Sequence, residues 1–534
     1  MDKYTTYVLD ETKKLEDYWS SRNTQMIGDR AVLALTKPVP KSDQVKWVLN
    51  EPKVLYDTSV ALLSSYTPRF RLPLSINYDK EERVRTNKTE RFLIGIFRSL
   101  EDSQLRRGRA SWFRELAYWI CSGWYSVFVN IEKVGKEVRF IADIFDPMTV
   151  YPQWGADGLE KLARTYEVPI LTAKAMASKW EVPFNAETDT SDVKVINYWE
   201  KDGKDIINTI LFNEDAVKKT SAMKPATKEP FLEIPIFVGA IGVPDTISAG
   251  WQTHYGESII ASNKDMYEYQ NTMVSLMAQI VAETAYPNLL TRTATGEPPF
   301  KSEDIKGHGT VIPLRLEDQV DILKHAATPT EVATLLSLVG AHIQRGGLPY
   351  VIYGGLPFEL SGFAISQLMA AIRYKISPYM RTMEGVVSRI ASEFLLRYRK
   401  GNFGEITLAT KNPYEMRKGL FFMEKFGKKD VPDTTFVEVS VPLSTPLDKT
   451  QQIMFARQAL TPPQLLSRPT IWETLEMVDD QDQEYQRIIQ DQILEMPTIK
   501  TIDMLEELKV RQATYMAEGK FEAAEALQRY IDIL

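Results

Sequence analysis

The chain has 534 residues and a mass of 61.0 kDa, a length that suggests about three to four structural units and ample material for a buried core. Hydrophobic residues make up 44% and charged residues 25%, an ordinary folded composition that excludes disorder as the main state. Lys plus Arg number 64 against 71 Asp plus Glu, a net charge of −7, so the basic surplus of a free-standing nucleic-acid binder is missing.

One cysteine, Cys121, excludes a disulfide within the chain and a cysteine-based zinc cluster. Four histidines (His254, His308, His325, His342) leave little for a metal site, and no cofactor is expected. Met1-Asp2-Lys3-Tyr4 does not open a signal peptide. No run reaches the roughly 18 apolar residues of a membrane span; the nearest, Leu348 to Ile372, is broken by Glu359 and by Pro349, Gly354, Gly355, Pro357 and Gly362. The chain reads as intracellular.

In chain order, the first 125 residues are expected to be mostly helical. Lys46 to Tyr66 and Glu82 to Trp124 carry apolar residues at helical spacing. The Lys/Arg-rich stretch from Asp79 to Arg114 reads first as a solvated helix face. Tyr125 to Ile131 and Val138 to Ile144 read as a hairpin about Val134-Gly135-Lys136, ended by Asp146-Pro147. Val150 to Gly155, Val193 to Tyr198, Ile206 to Phe212 and Phe231 to Val238 continue an antiparallel unit, so residues 1 to 250 form an α+β domain. Glu257 to Glu283 predicts one long helix, stopped by Pro287. Residues 286 to 327 form a small β excursion, with strand-like pieces at Gly309 to Pro313 and Val320 to Leu323.

Thr328-Pro329-Thr330-Glu331 is a capping box with proline at the first helical position. The helix it starts should run about 17 residues to Gly346-Gly347. A Gly/Pro-rich, aromatic loop follows to Gly362; a loop of this length inside a compact region is usually functional or disordered. A third helix spans Phe363 to Lys400, with a kink expected at Pro378. It carries Arg373, Lys375, Arg381, Arg389, Arg397, Arg399 and Lys400 against Glu384 and Glu393. A strand pair (Glu405 to Ala409; Phe436 to Val441) and further helices complete the chain. The last 64 residues hold 15 acidic and 6 basic side chains, net −9, so the acidity of the chain is local to its end.

Signatures of chemistry are sparse. There is no GxxxxGK[ST] phosphate loop, no HExxH, no GxSxG and no EF-hand loop. Gly307-His308-Gly309 reads as a turn, Cys121 among Trp119, Ile120 and Trp124 as a buried thiol, and Asp479-Asp480 as a solvated acidic face. Carboxylate-only active sites leave no sequence signature, so a carboxylate-based enzyme stays open as one alternative.

The order of parts (α+β domain, long helix, β excursion, capped helix, Gly/Pro/aromatic loop, long Pro-containing helix, acidic helical tail) resembles the portal proteins of tailed bacteriophages. Local strings resemble them too: Ile144-Phe145-Asp146-Pro147 with Val150-Tyr151-Pro152, and Gly347 to Gly355 leading into Ser361-Gly362-Phe363-Ala364-Ile365-Ser366. The resemblance implies a portal-like α+β fold with a wing at residues 1–256, a first stem helix at 257–285 and a clip at 286–327. A second stem helix at 328–345, a tunnel loop at 346–362, the kinked helix with the rest of the wing at 363–496 and a crown at 497–534 would follow.

It also implies a non-enzymatic ring, usually of twelve copies, at one capsid vertex, assembled in the host cytoplasm. Double-stranded DNA would pass through its axis in packaging and ejection. Terminase large subunit, head–tail adaptor, major capsid and scaffold proteins would be its partners. ATP hydrolysis would belong to the terminase, which fits the absent phosphate loop.

A translocating channel must not grip DNA, because each neutralised phosphate adds affinity through counterion release. The clip has that balance in number: Arg292, Lys301, Lys306, Arg315 and Lys324 count against Glu297, Glu303, Asp304, Glu317, Asp318 and Asp321. Under this reading Leu348, Tyr350, Val351, Ile352, Tyr353, Phe358 and Glu359 make the tunnel loop, whose aromatic residues either narrow the channel or pack on a neighbour. Arg373, Arg381 and Arg389 are candidates for pairing with acidic residues of the adjacent subunit, against the alternative of a solvated basic face. Another virion ring component, an adaptor or tail hub, is the nearer rival to the portal reading.

Overall fold

The computed structural model describes residues 3–36, 45–65, 68–74, 79–135, 137–179, 192–213, 220–229, 233–242, 252, 255–285, 289–293, 297, 314–316, 318–322, 330–353, 362–411, 421–432, 436–441, 497–517 and 519–533, with scattered positions between 453 and 496. The chain divides into two compact units, Met1–Leu443 and Ser444–Leu534. That is fewer than length alone suggests.

The larger unit opens with helices α1 (Lys3–Tyr18), α2 (Ser20–Leu33) and α3 (Glu51–Ser64), then a short strand β1 (Arg69–Arg71). The single helical stretch expected from Glu82 to Trp124 is two helices, α4 (Lys80–Arg106) and α5 (Trp112–Cys121). The break has local causes. Gly108 sits at φ +70°, a left-handed conformation that ends α4. Ser111 then caps α5, its hydroxyl accepting from Arg114 N at 3.4 Å. Asp79 caps α4 in the same way, accepting from Glu82 N at 2.6 Å.

Two antiparallel sheets follow. The expected hairpin is present as β2 (Trp124–Val134) and β3 (Glu137–Ile144), with Gly135 at φ +64° in the turn. Strands β4 (Val150–Gly155), β5 (Gly158–Pro169), β6 (Asp192–Asp202), β7 (Asp205–Asn213) and β8 (Thr220–Glu229) form a five-stranded meander, with α6 (Ile170–Lys179) between β5 and β6. Strands β5 and β8 were not anticipated from the sequence. The last strand expected in this unit, Phe231 to Val238, lies at Ile236–Ala240 (β9). It leaves the meander to pair with β2, giving the order β3-β2-β9.

Next come α7 (Lys264–Ala285), the hairpin β10 (Leu289–Arg292) with β11 (Gln319–Ile322), α8 (Thr330–Gly346) and α9 (Gly362–Lys400). Helix α7 starts later than Glu257. Ile259 and Ile260 are fully buried in the body, and a 3-10 turn at Ala261–Asn263 precedes the helix. Helix α8 has the expected 17 residues; its capping residues Thr328 and Pro329 lie outside the described residues, as do Gly309 to Pro313. The expected pairing of Glu405–Ala409 with Phe436–Val441 does not occur. Instead β12 (Ile406–Lys411) pairs with β13 (Phe421–Phe426), and β14 (Glu438–Ser440) reaches back to β1. Pairing β14 with a strand nearly 370 residues earlier ties the chain after α9 to the N-terminal helices.

The main core gathers Phe92, Phe97, Trp112, Phe394 and Tyr398 with the inner faces of β2 and β3. Cys121 is fully buried there as a free thiol, and burial pushes its pKa up, away from thiolate chemistry. A second core joins α1 and α2 to the meander. There Arg22, 1% exposed, lies over the rings of Trp19 (5.0 Å) and Trp124 (4.8 Å). Its Nη2 donates to Val150 O at 3.0 Å.

In the smaller unit, α10 (Pro497–Ala517) and α11 (Phe521–Ile533) form a helical hairpin. Gly519 at φ +75° makes the turn. Gln512 Nε2 donates to Gln528 Oε1 at 2.7 Å, and Ala524 is fully buried between the helices.

Candidate functional site

The helices α7 and α8 pack on each other and carry the β10–β11 hairpin between them. Their bases are core: Tyr267, Val339 and Ile343 are 3%, 5% and 6% exposed. Past Asn271 on α7 and before Val339 on α8 no described side chain is buried. That part of α7, to Ala285, is about 22 Å long at 1.5 Å per residue. Its apolar side chains stay open: Leu276 is 55% and Val281 66% exposed, with Leu338 on α8 at 54%. Exposed apolar side chains grouped in this way mark an interaction surface or a ligand groove.

The base of this pair is fixed by polar contacts that sequence reasoning missed. Asn263, 3% exposed, donates through Nδ2 to Ile343 O at 2.8 Å. Ser262 Oγ donates to Gly346 O at 2.9 Å, and Lys375 Nζ on α9 donates to Ser262 Oγ at 3.1 Å. Burial lowers the Lys375 pKa, an effect that Glu257 opposes. Tyr379 Oη donates to Glu257 O at 3.1 Å, and Lys264 pairs with Asp29 of α2 at 2.6 Å. Three helices and the body therefore meet at one junction. The double glycine at 346–347 was its only sequence signal: a Cβ on Gly346 would lie 2.0 Å from Asn263 Oδ1.

A second missed feature runs along α7. The extended segment 45–49 lays alternate backbone N–H groups on side chains spaced four apart. Val45 N donates to Gln279 Oε1 (2.8 Å), Trp47 N to Ser275 Oγ (2.9 Å) and Leu49 N to Asn271 Oδ1 (2.9 Å). Polar residues at i, i+4, i+8 on one helix face were the available signal.

The residues singled out from the sequence are distributed unevenly. On the hairpin side, Arg292 lies on β10 opposite Gln319, and both Arg292 and Arg315 are exposed. Lys301, Lys306 and Lys324 lie outside the described residues. In the connector, Leu348 is 2% exposed and belongs to the main core, so its side chain faces inward and does not line a channel. Tyr350 to Tyr353 form one 3-10 turn, with Ile352 packed against the core and Tyr353 36% exposed. Phe358 and Glu359 lie outside the described residues.

Helix α9 runs through Pro378 for 39 residues. Its basic residues are not one free face. Arg397 donates to Val129 O (2.8 Å) and pairs with Glu393, and Arg399 donates to Pro432 O (3.1 Å). Arg389 stands over Phe237, Cζ to centroid 4.9 Å. Arg373, Arg381 and Arg389 are all exposed. Within the trio of intersubunit candidates, Arg389 is thus already engaged by its own chain.

No described helix is long and apolar enough to cross a membrane. No family model and no curated protein sequence matches the chain. Among solved structures, it is similar to one described as the neck of an empty GTA particle computed with C6 symmetry. The identity is 11%, the TM-score 0.40, and the match covers 80% of this chain and 88% of that one. A similarity at that level carries no argument about function.

Proposed function

We propose that the chain is a portal protein: a ring-forming component of a capsid vertex, whose axial channel passes double-stranded DNA during packaging and ejection. One observation carries the reading. An α+β body projects an antiparallel helix pair capped by a two-stranded hairpin, and then returns through a short turn into a 39-residue helix with an internal proline. That is the order of wing, stem, clip, tunnel loop and long helix that the sequence resembles. The uncovered apolar side chains of the helix pair support it, because neighbours in a ring would bury them. The five basic and six acidic residues of 286–327 support a channel end that does not hold DNA.

In this reading the chain has no catalytic activity and no cofactor. Terminase and the head–tail adaptor would meet the hairpin end, and capsid and scaffold proteins the body. The test is electron microscopy of the purified full-length chain, with its mass from light scattering. Rings of about twelve chains around a hole wide enough for duplex DNA are expected. A particle of one or two chains, alone and when co-expressed with its capsid and scaffold proteins, would overturn the reading.

A further inference from the structure

The outer face of the β3-β2-β9 sheet is not apolar. Along β2 and β3 the inward residues Val127, Val129, Phe140 and Ala142 are core, while the alternate residues Phe128, Asn130, Ile141 and Asp143 point the other way. They do not point into solvent. They line one wall of a cleft of about 840 Å³, whose opposite wall is the five-stranded sheet with Arg164, Tyr166, Asn197 and Asn208. Facing sheets within one body ordinarily interdigitate apolar side chains about 10 Å apart. Here the gap is left open, lined by charged and apolar side chains together, within the size range of about 300–1,000 Å³ usual for ligand sites.

One side chain in the cleft is held in an unusual way. The Arg164 guanidinium lies between two rings, Cζ 3.4 Å from the centroid of Phe145 and 4.0 Å from that of Tyr166. Phe145 stacks in turn on Phe128, centroids 6.1 Å apart and planes 15° from parallel. The stack covers both faces of the guanidinium and leaves only its edge for bonding. No nitrogen of that edge has a hydrogen-bond partner among the described residues; Nε is closed off from solvent, which leaves the two Nη groups to meet a ligand. A buried, unmade charged hydrogen bond is costly, and here it is kept in a rigid mount.

The surrounding carboxylates are already used. Asp143 pairs with Arg107 (2.7 Å), Glu137 with Arg139 (3.2 Å) and Glu132 with Lys179 (3.8 Å). The remaining charges in the lining are Arg164, Arg106 and Asp102, a surplus of one positive charge.

The geometry points to a carboxylate-binding site in this cleft, with the edge of Arg164 receiving the anion and the aromatic walls receiving the body that bears it. A guanidinium edge matches a carboxylate with two parallel hydrogen bonds. A single surplus charge suits a monoanion; a phosphate dianion would stand unbalanced among four acidic groups. The carboxylate can come from a free small acid or from a Glu or Asp side chain of a docking protein.

The experiment uses the full-length chain and 4-fluorobenzoate, followed by fluorine NMR. Saturable line broadening, reversed by unlabelled benzoate, is expected. Arg164→Met should weaken it roughly tenfold or more, the loss of a charge-assisted pair, with an unchanged circular dichroism spectrum. Should that variant unfold, Arg164→Lys, which keeps the charge and loses the fork, supplies the same readout. Competition by acetate and by an acetylated, amidated Gly-Glu-Gly peptide assigns the source. Stronger displacement by the peptide means a docking side chain, and stronger displacement by acetate means a small acid. Non-saturable broadening, or wild-type binding in the folded variant, would overturn the site. Stronger competition by inorganic phosphate than by benzoate would overturn the carboxylate assignment.

Discussion

Replacing Gly346 by alanine tests whether the junction at the foot of the helix pair is as tight as the geometry implies. The added Cβ would meet Asn263 Oδ1 at 2.0 Å, Cγ at 2.8 Å and Nδ2 at 3.1 Å. Relief requires the carboxamide oxygen to move by about 1.4 Å, since ordinary contacts of this kind start at 3.4 Å. Asn263 is 3% exposed and its Nδ2 holds Ile343 O at 2.8 Å. Moving it breaks that bond and leaves a buried amide unpaired, a cost of about 1–3 kcal/mol. The better helix propensity of alanine returns at most ~1 kcal/mol, so with that return in full a net loss of about 0–2 kcal/mol is expected.

Nine of the ten tryptophans lie in residues 1–443, so their fluorescence during urea unfolding follows the larger unit. The decisive quantity is a double-mutant cycle with Asn263→Ala, which removes the obstructing group. In that background Gly346→Ala should be neutral or slightly stabilising, so the coupling recovers the clash cost of about 1–3 kcal/mol. Additive effects of the two substitutions would refute the argument.

Other perturbations separate function from folding. Deleting Val351 to Gly355 should leave rings intact and block DNA packaging in an assembly assay; normal packaging would count against a tunnel-loop role. Arg381→Glu should weaken ring assembly, read by light scattering, with little effect on unfolding, because Arg381 is exposed and makes no ring contact among the described residues. Arg389→Glu should also lower stability, by about 1 kcal/mol, since it removes a cation–π contact within the chain. Equal stability for the two variants would contradict this division. Glu11 accepts hydrogen bonds from Lys14 and Lys161, both at 2.7 Å, and they hold its pKa below the usual 4.5. Its contribution is therefore full above pH 4.5 and lost as pH falls through the lower folded value. Glu11→Gln should cost at most about 1 kcal/mol near neutral pH, and its unfolding curve should converge on wild type in acid; a difference that persists there would point to packing instead.

Local pattern by itself determined much of this protein. Helical spacing located α3, α8 and α9, alternation about Gly135 located the β2–β3 hairpin, and the positions of the long helices along the chain were enough to suggest a portal. These signals are local, because a helix face or a tight turn is set by residues within a few positions of one another. What required the tertiary structure was non-local. The partner of β14 is β1, at the other end of the body, and β9 leaves the meander for β2. A strand's own residues do not encode which edge it will reach.

The same distinction governs side chains. Leu348 looked like loop and is core, and Arg389 looked free and stacks on Phe237. Asn263 and Arg164 gave no sequence signal of their own, because their roles arise only when a distant backbone carbonyl or an aromatic ring is brought against them. Burial and pairing are properties of the assembled fold, and spacing along the chain reports neither.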